Sequence, residues 1–201
     1  MSQSVLVRIL AATALLLLIA LIGLLYSPWG QGLWHGQITA QLGKDSFGGP
    51  FKLIDQNGKP RTDVDFRGRY MLVFFGYTNC PDVCPTTLQT LTDAMKALGP
   101  KAAQVTPVFI TVDPARDTAK ALKDYAANFT PGLVMLTGSA ADIAVVAREY
   151  RVYYAKSGDG PNYGMDHTAL IYLMDPDGHF VTHYTPQSTA DDIAKDLGQR
   201  L

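Results

Sequence analysis

The run YMLVFFGY, Tyr70 to Tyr77, constrains the fold more than any other stretch of this chain. It is continuously apolar, without the alternation of a half-buried strand, and it has strand length, so a sheet built on it must be covered on both faces. The segment that follows at once, TNCPDVCPTT, holds both cysteines of the sequence, Cys80 and Cys84. Beyond them Leu88, Leu91, Met95 and Leu98 recur at helical spacing. Pro85 suits the first turn of that helix, where its missing N–H would have had no partner anyway. The pair is therefore expected at a strand-to-helix junction.

The remaining pattern agrees with a layered α/β arrangement. Asn57-Gly58 sits between short alternating segments, as a hairpin turn does. VTPVFITV and LVML read as strands, and Leu122, Tyr125, Ala126 and Phe129 share one helical face. Ser139 with Asp142 three residues later marks a helix start, ahead of an apolar face of Ile143, Val146, Ala147 and Tyr150. TALIYLM and HFVTHY, joined by DPDG, make a second hairpin, and Ser188 opens a last helix with Ile193 and Leu197 inward. Strands alternating with helices and closing on a hairpin plus helix predict a central sheet with helices on both faces. In such sheets function lies beyond the carboxyl ends of strands, where the cysteines are placed.

ILAATALLLLIALIGLLY, residues 9–26, carries no charge and is long enough to cross a bilayer as a helix. A signal peptide would have a shorter apolar region ending in small residues. Arg8 and the amino terminus keep residues 1–8 in the cytoplasm, which places everything after Tyr26 on the other side, with Trp29 and Trp34 at the interface. Eight leading residues poor in Arg and Ser do not make a mitochondrial transit peptide. The expectation is a single-pass bacterial inner-membrane protein with residues 9–26 as anchor, 27–46 as a tether that is uncharged up to Lys44, and 47–201 as one domain in the periplasm. Lys plus Arg (17) is balanced by Asp plus Glu (18), so the electrostatic footprint of a nucleic-acid binder is missing.

In an oxidising compartment two thiols can form an inert disulfide, a redox pair or part of a metal site. A bridge across so short a loop would constrain the unfolded chain little. A redox pair of the Cys-x-x-Cys kind would be one residue shorter. Four-residue spacing puts both side chains on one helical face, where they can share an ion, and a helix start favours thiolates. Two thiolates call for a third donor among His35, His167, His179 and His183. His35 belongs to the tether. His179 and His183 would stand roughly 13 Å apart on one strand, too far to share an ion, and read as surface residues. His167 ends the Gly-rich stretch KSGDGPNYGMDH just before a strand, which on position alone fits a strand-edge histidine as well as a ligand.

FFGYTNCPDVCPTTL, VDPARDT, YRVYY and DHTALIYLMDPDG, in this order after an apolar span, resemble the Sco/SenC family of copper-binding assembly proteins for respiratory cytochrome oxidase. The resemblance covers essentially all of the chain after the tether and implies a thioredoxin-like fold. It also implies copper as cargo, with Cys80, Cys84 and His167 as ligands. Copper(I) suits such a set, since it prefers soft thiolates and low coordination; copper(II) would ask for a further donor, and zinc is chemically reasonable. Asp113, Asp82 and Asp166 could orient the ligands or supply an outer carboxylate, with a turn-forming role for Asp113 before Pro114 as the plain alternative.

The implied role is a metallochaperone rather than an enzyme. Its partners would be the copper-binding subunit of cytochrome c oxidase, a periplasmic copper donor and a thiol reductant protein. Cys80 and Cys84 would also form a redox disulfide that blocks copper(I) binding. The rival is a thiol-disulfide oxidoreductase acting on the oxidase copper-site cysteines or in redox signalling. A thiol peroxidase would need a peroxide-activating surround that the sequence does not reveal.

Overall fold

The structure is a computed structural model that describes residues 47–201, together with residues 13 and 15–18. The chain divides into two units, residues 1–44 and 45–201. In the first, Thr13 and Leu15 to Leu18 are helical and the four leucines are exposed. The expected anchor at 9–26 otherwise lies outside the described residues, as do the tether and His35. Among the described residues no helix is long and apolar enough to cross a membrane.

The second unit is built on a seven-stranded sheet in the order β2-β1-β5-β4-β3-β8-β9. Its strands are β1 (Lys52–Asp55), β2 (Pro60–Thr62), β3 (Tyr70–Gly76), β4 (Val105–Thr111), β5 (Val134–Thr137), β8 (Ile171–Met174) and β9 (Phe180–Tyr184). β3, β4 and β5 are parallel, and β8 runs antiparallel to β3. The apolar run at 70–77 is thus flanked on both edges, and Met71 to Phe75 are at most 5% exposed. Consecutive side chains point to opposite faces of a strand. Phe74 meets Phe109, which meets Tyr125, whereas Phe75 meets Tyr150 and Tyr172.

Helices α1 (Val83–Leu98), α2 (Ala119–Ala126), α3 (Ala140–Glu149) and α4 (Ala190–Arg200) complete the layers. Tyr125 of α2 lies on the Phe74 face. Tyr150, which caps α3, lies on the Phe75 face, so both faces are covered as the strand pattern requires. Ser139 caps α3 in a reciprocal box with Asp142. The last helix starts one residue later than expected: Thr189, not Ser188, is its cap, boxed with Asp192, while the Ser188 hydroxyl accepts the Thr185 amide.

A larger departure concerns the Gly-rich stretch before His167. It is a hairpin of β6 (Tyr154–Ser157) and β7 (Gly164–His167), forming a two-stranded sheet separate from the main one. His167 therefore ends a strand of its own, opposite Tyr154, and the next sheet strand begins only at Ile171. The half-exposed faces of this hairpin erase the alternation by which a strand is recognised.

Candidate metal centre

Gly76 ends β3 and controls how closely the thiols approach the sheet. A Cβ there would lie 2.8 Å from Cys84 Sγ and 2.9 Å from the Phe109 ring, closer than carbon can sit, so only glycine lets α1 start against the strand. Cys84 is fully buried at that contact, and Cys80 is partly exposed in the loop before α1, so the two cysteines do not share one helical face as the four-residue spacing predicts. Both are free thiols. The Cys84 amide points at Cys80 Sγ across 3.5 Å.

The hairpin brings the imidazole to this pair. Cys84 Sγ lies 3.5 Å from His167 Nε2, and His167 Nδ1 lies 3.1 Å from the Thr168 carbonyl oxygen. A carbonyl only accepts, so Nδ1 carries the proton and Nε2 presents its lone pair to the thiol. Burial pushes the imidazole below its ordinary pKa against the opposing pull of the Thr168 carbonyl, which keeps the ring neutral and able to bind metal. The rings of Phe74 and Tyr77 stand edge-on to it, each with its centroid 6.0 Å away.

The two thiols differ electrostatically. Burial raises the Cys80 pKa, but the amides of Asp82 and Cys84, with the Cys84 and Tyr77 side chains, outweigh it and hold this thiol below its usual value. Cys84 is pushed far up by burial, with the Cys80 charge adding to the effect. Cys80 is thus the thiolate-prone member and Cys84 the sheltered one.

Of the three expected donors the structure joins Cys84 to His167 and Cys84 to Cys80. Among the described residues the only three His, Cys, Asp or Glu donors all within 4.8 Å of one another are half-buried Asp175 and exposed Asp177 and His179, in the β8–β9 turn. Asp175 Oδ1 is already occupied there by the Asp177 and His179 amides. Closing all three sulfur and nitrogen donors on one ion therefore requires Cys80 and His167 to come closer together. His179 and His183 are exposed, as expected of surface residues.

The carboxylates are used differently from one another. Asp82 is exposed and caps α1 without a side-chain bond, its amide serving Cys80. Asp166 is exposed opposite Ala155 and acts on His167 only through its charge. Asp113 is 3% exposed and its carboxylate accepts from Tyr163 Oη at 2.7 Å and from Arg116 Nε. It also makes the turn before Pro114, its carbonyl accepting the Arg116 and Asp117 amides.

Several residues that the sequence pattern did not single out support the site. Asp117, fully buried, accepts the Thr78 amide at 3.0 Å, the Thr78 hydroxyl at 2.5 Å and the Thr111 hydroxyl at 2.6 Å, which fixes the chain two residues before Cys80. Tyr77 places its hydroxyl between the hairpin and the cysteine loop, within reach of the Met165 amide and the Cys80 sulfur. Arg116 Nη2 and Tyr125 Oη are buried without hydrogen-bond partners near this cluster. A short polar side chain after a buried strand, as at Thr78, and an Asp four residues after Asp113 are the only signals the sequence offers for this support.

The chain from residue 39 to residue 201 matches the family model described as SCO1/SenC. The SCO2-like protein of Rickettsia prowazekii is 40% identical over 161 residues, covering 79% of this chain and 78% of that protein. The mitochondrial SCO1 homolog of Mus musculus is also 40% identical, over 80% of this chain, and the match spans 58% of the mouse protein's length. The copper-bound structure of Bradyrhizobium japonicum ScoI is 49% identical and superposes with a TM-score of 0.73, covering 77% of this chain and 99% of that one. A structure of BsSco, described as a member of the Sco family of cytochrome c oxidase assembly proteins with a disulfide switch, is 30% identical with a TM-score of 0.61, covering 75% and 91%. With the thiol pair, the imidazole and the sheet in place, these matches show that the chain belongs to the SCO1/SenC family.

Proposed function

We propose that this protein is a copper metallochaperone for the assembly of cytochrome c oxidase, anchored in the bacterial inner membrane by residues 9–26 with its second unit in the periplasm. One observation carries the reading: a neutral imidazole whose Nδ1 is engaged by a carbonyl directs Nε2 at a buried thiol 3.5 Å away, with a second thiol in the loop just before the helix, 3.5 Å from the Cys84 amide. Two sulfurs and one imidazole nitrogen are the soft, low-number donor set that copper(I) prefers. Copper is cargo here. Cys80, more exposed and thiolate-prone, receives the ion; Cys84 and His167 draw it inward; release to the oxidase subunit proceeds by exchange of one donor at a time. Disulfide formation between Cys80 and Cys84 removes both thiolates and empties the site.

The test is an anaerobic copper(I) titration of the reduced full-length chain in detergent, beside Cys80→Ser, Cys84→Ser and His167→Ala. One copper per chain, weakened at least tenfold in every variant, supports the reading; an oxidised chain that binds copper(I) as tightly as the reduced one overturns it.

A second reading draws on the asymmetry of the two thiols. A partly exposed thiol of lowered pKa beside a buried one of raised pKa is the pairing of attacking and resolving cysteines in thiol-disulfide exchange. If His167→Ala leaves copper binding intact while the chain rapidly reduces a disulfide peptide carrying the cysteines of an oxidase copper site, the oxidoreductase reading replaces the chaperone.

A further inference from the structure

The loop from β4 to α2, residues 112–118, touches both walls of the site. On the thiol wall Asp117 holds Thr78. On the other wall Arg116 Nη1 donates to the Tyr163 carbonyl at 2.9 Å and reaches the Pro161 carbonyl at 3.5 Å, while its guanidinium lies 3.6 Å over the Tyr163 ring. Asp113 fastens both partners, accepting from Arg116 Nε and from Tyr163 Oη. We propose that Arg116 is a positioning residue for His167: by clamping the β6–β7 hairpin to the β4–α2 loop it sets how long the imidazole stays on a copper ion held by the two cysteines.

Arg116 does not touch the imidazole and acts through the hairpin backbone. A two-stranded sheet is marginal by itself and depends on what it docks against. This hairpin has no ladder to the main sheet. Its base is tied by the Thr168 amide to the Tyr153 carbonyl at 2.9 Å and by Tyr77 at Met165. The segment leading into β7 is tied by Arg116 and Asp113. Arginine suits the task because one planar group serves a carboxylate with Nε, carbonyls with Nη1 and an aromatic ring with its face; lysine cannot do all three.

The proposal rests on reading His167 as a copper donor, so its test includes a measurement that needs no metal. In the reduced, metal-free full-length chain in detergent, Arg116→Lys speeds hydrogen exchange of the β6 and β7 amides by roughly tenfold to a hundredfold while β3 and β4 keep their protection. Tyr163→Phe, which keeps the ring under the guanidinium and folds if the lysine variant does not, does the same to a smaller extent. Loaded with copper(I) and challenged with bicinchoninate, both variants lose the ion faster than the parent chain and no faster than His167→Ala.

Unchanged hairpin exchange in both variants overturns the clamp. Faster exchange with an unchanged copper dissociation rate overturns its action on His167. If His167→Ala itself releases copper at the parental rate, the proposal falls because the ligand reading has fallen, an outcome that the metal-free measurement keeps distinct from failure of the clamp.

Discussion

The two walls of the site are built in different ways. The thiol wall continues the central strand: β3 is buried between β4 and β8, Gly76 admits Cys84 against the sheet, and Asp117 pins the turn between them. The imidazole wall is a satellite hairpin, partly exposed along both strands and held by side-chain bonds at its base and flank. A donor grown from the core opens only when the domain unfolds, whereas one on a docked hairpin can let go by local opening. Under the copper role proposed above, the difference gives retention to Cys84 and release to the histidine.

That contrast is most exposed to failure at Phe75, fully buried between Tyr150 and Tyr172. Phe75→Ala is expected to cost about 3–5 kcal/mol of global stability, read from the urea midpoint. A loss of the size seen for a surface residue would mean that the thiol wall is not rooted in the core.

Asp117→Asn comes next, at about 1–3 kcal/mol, because it disturbs three bonds to a buried carboxylate. Burial raises the Asp117 pKa above 3.8, outweighing the Thr111 and Thr78 bonds, with Asp113 adding to the rise. The folded state therefore binds a proton more tightly than the unfolded one. The resulting stability is fully present below 3.8 and is lost as pH rises through the folded value. The parent chain should lead the variant by more at pH below 3.8 than at neutrality; a lead that grows towards neutral pH would show the carboxylate to be stabilised as an anion instead.

The smallest effect belongs to the satellite wall. Lys156 Nζ stands 4.4 Å from the Tyr163 ring centroid, opposite Met165 in the hairpin. Lys156→Ala should change global stability by about 0.5 kcal/mol or less and show itself only as faster exchange in β6 and β7. A global loss comparable to that of Asp117→Asn would merge the two walls into one cooperative unit.

The sequence was most legible where burial is complete. The run at 70–77 announces its strand because every side chain in it must be apolar, and the helical repeat from Leu88 to Leu98 follows from the single face that α1 buries. The start of the last helix was ambiguous for a reason visible in the residues. Ser188 with Asp191 and Thr189 with Asp192 both satisfy the capping spacing, and only the bond from the Thr185 amide to Ser188 decides between them. The β6–β7 hairpin carried no such signal, since strands partly exposed on both faces need no periodicity. The clamp was hidden as well, because Asp113 and Arg116 meet Tyr163 across 50 and 47 residues of chain.

The outer strand β2 bears on how this protein behaves among its own copies. It is three residues long, begins with a proline that has no N–H to offer, and carries Lys59 before it and Arg61 within it. Short length, proline and positive charge are devices that stop a neighbouring chain from adding a strand. On that side the sheet ends itself, so copies crowded together during synthesis find no template for edge-to-edge aggregation there.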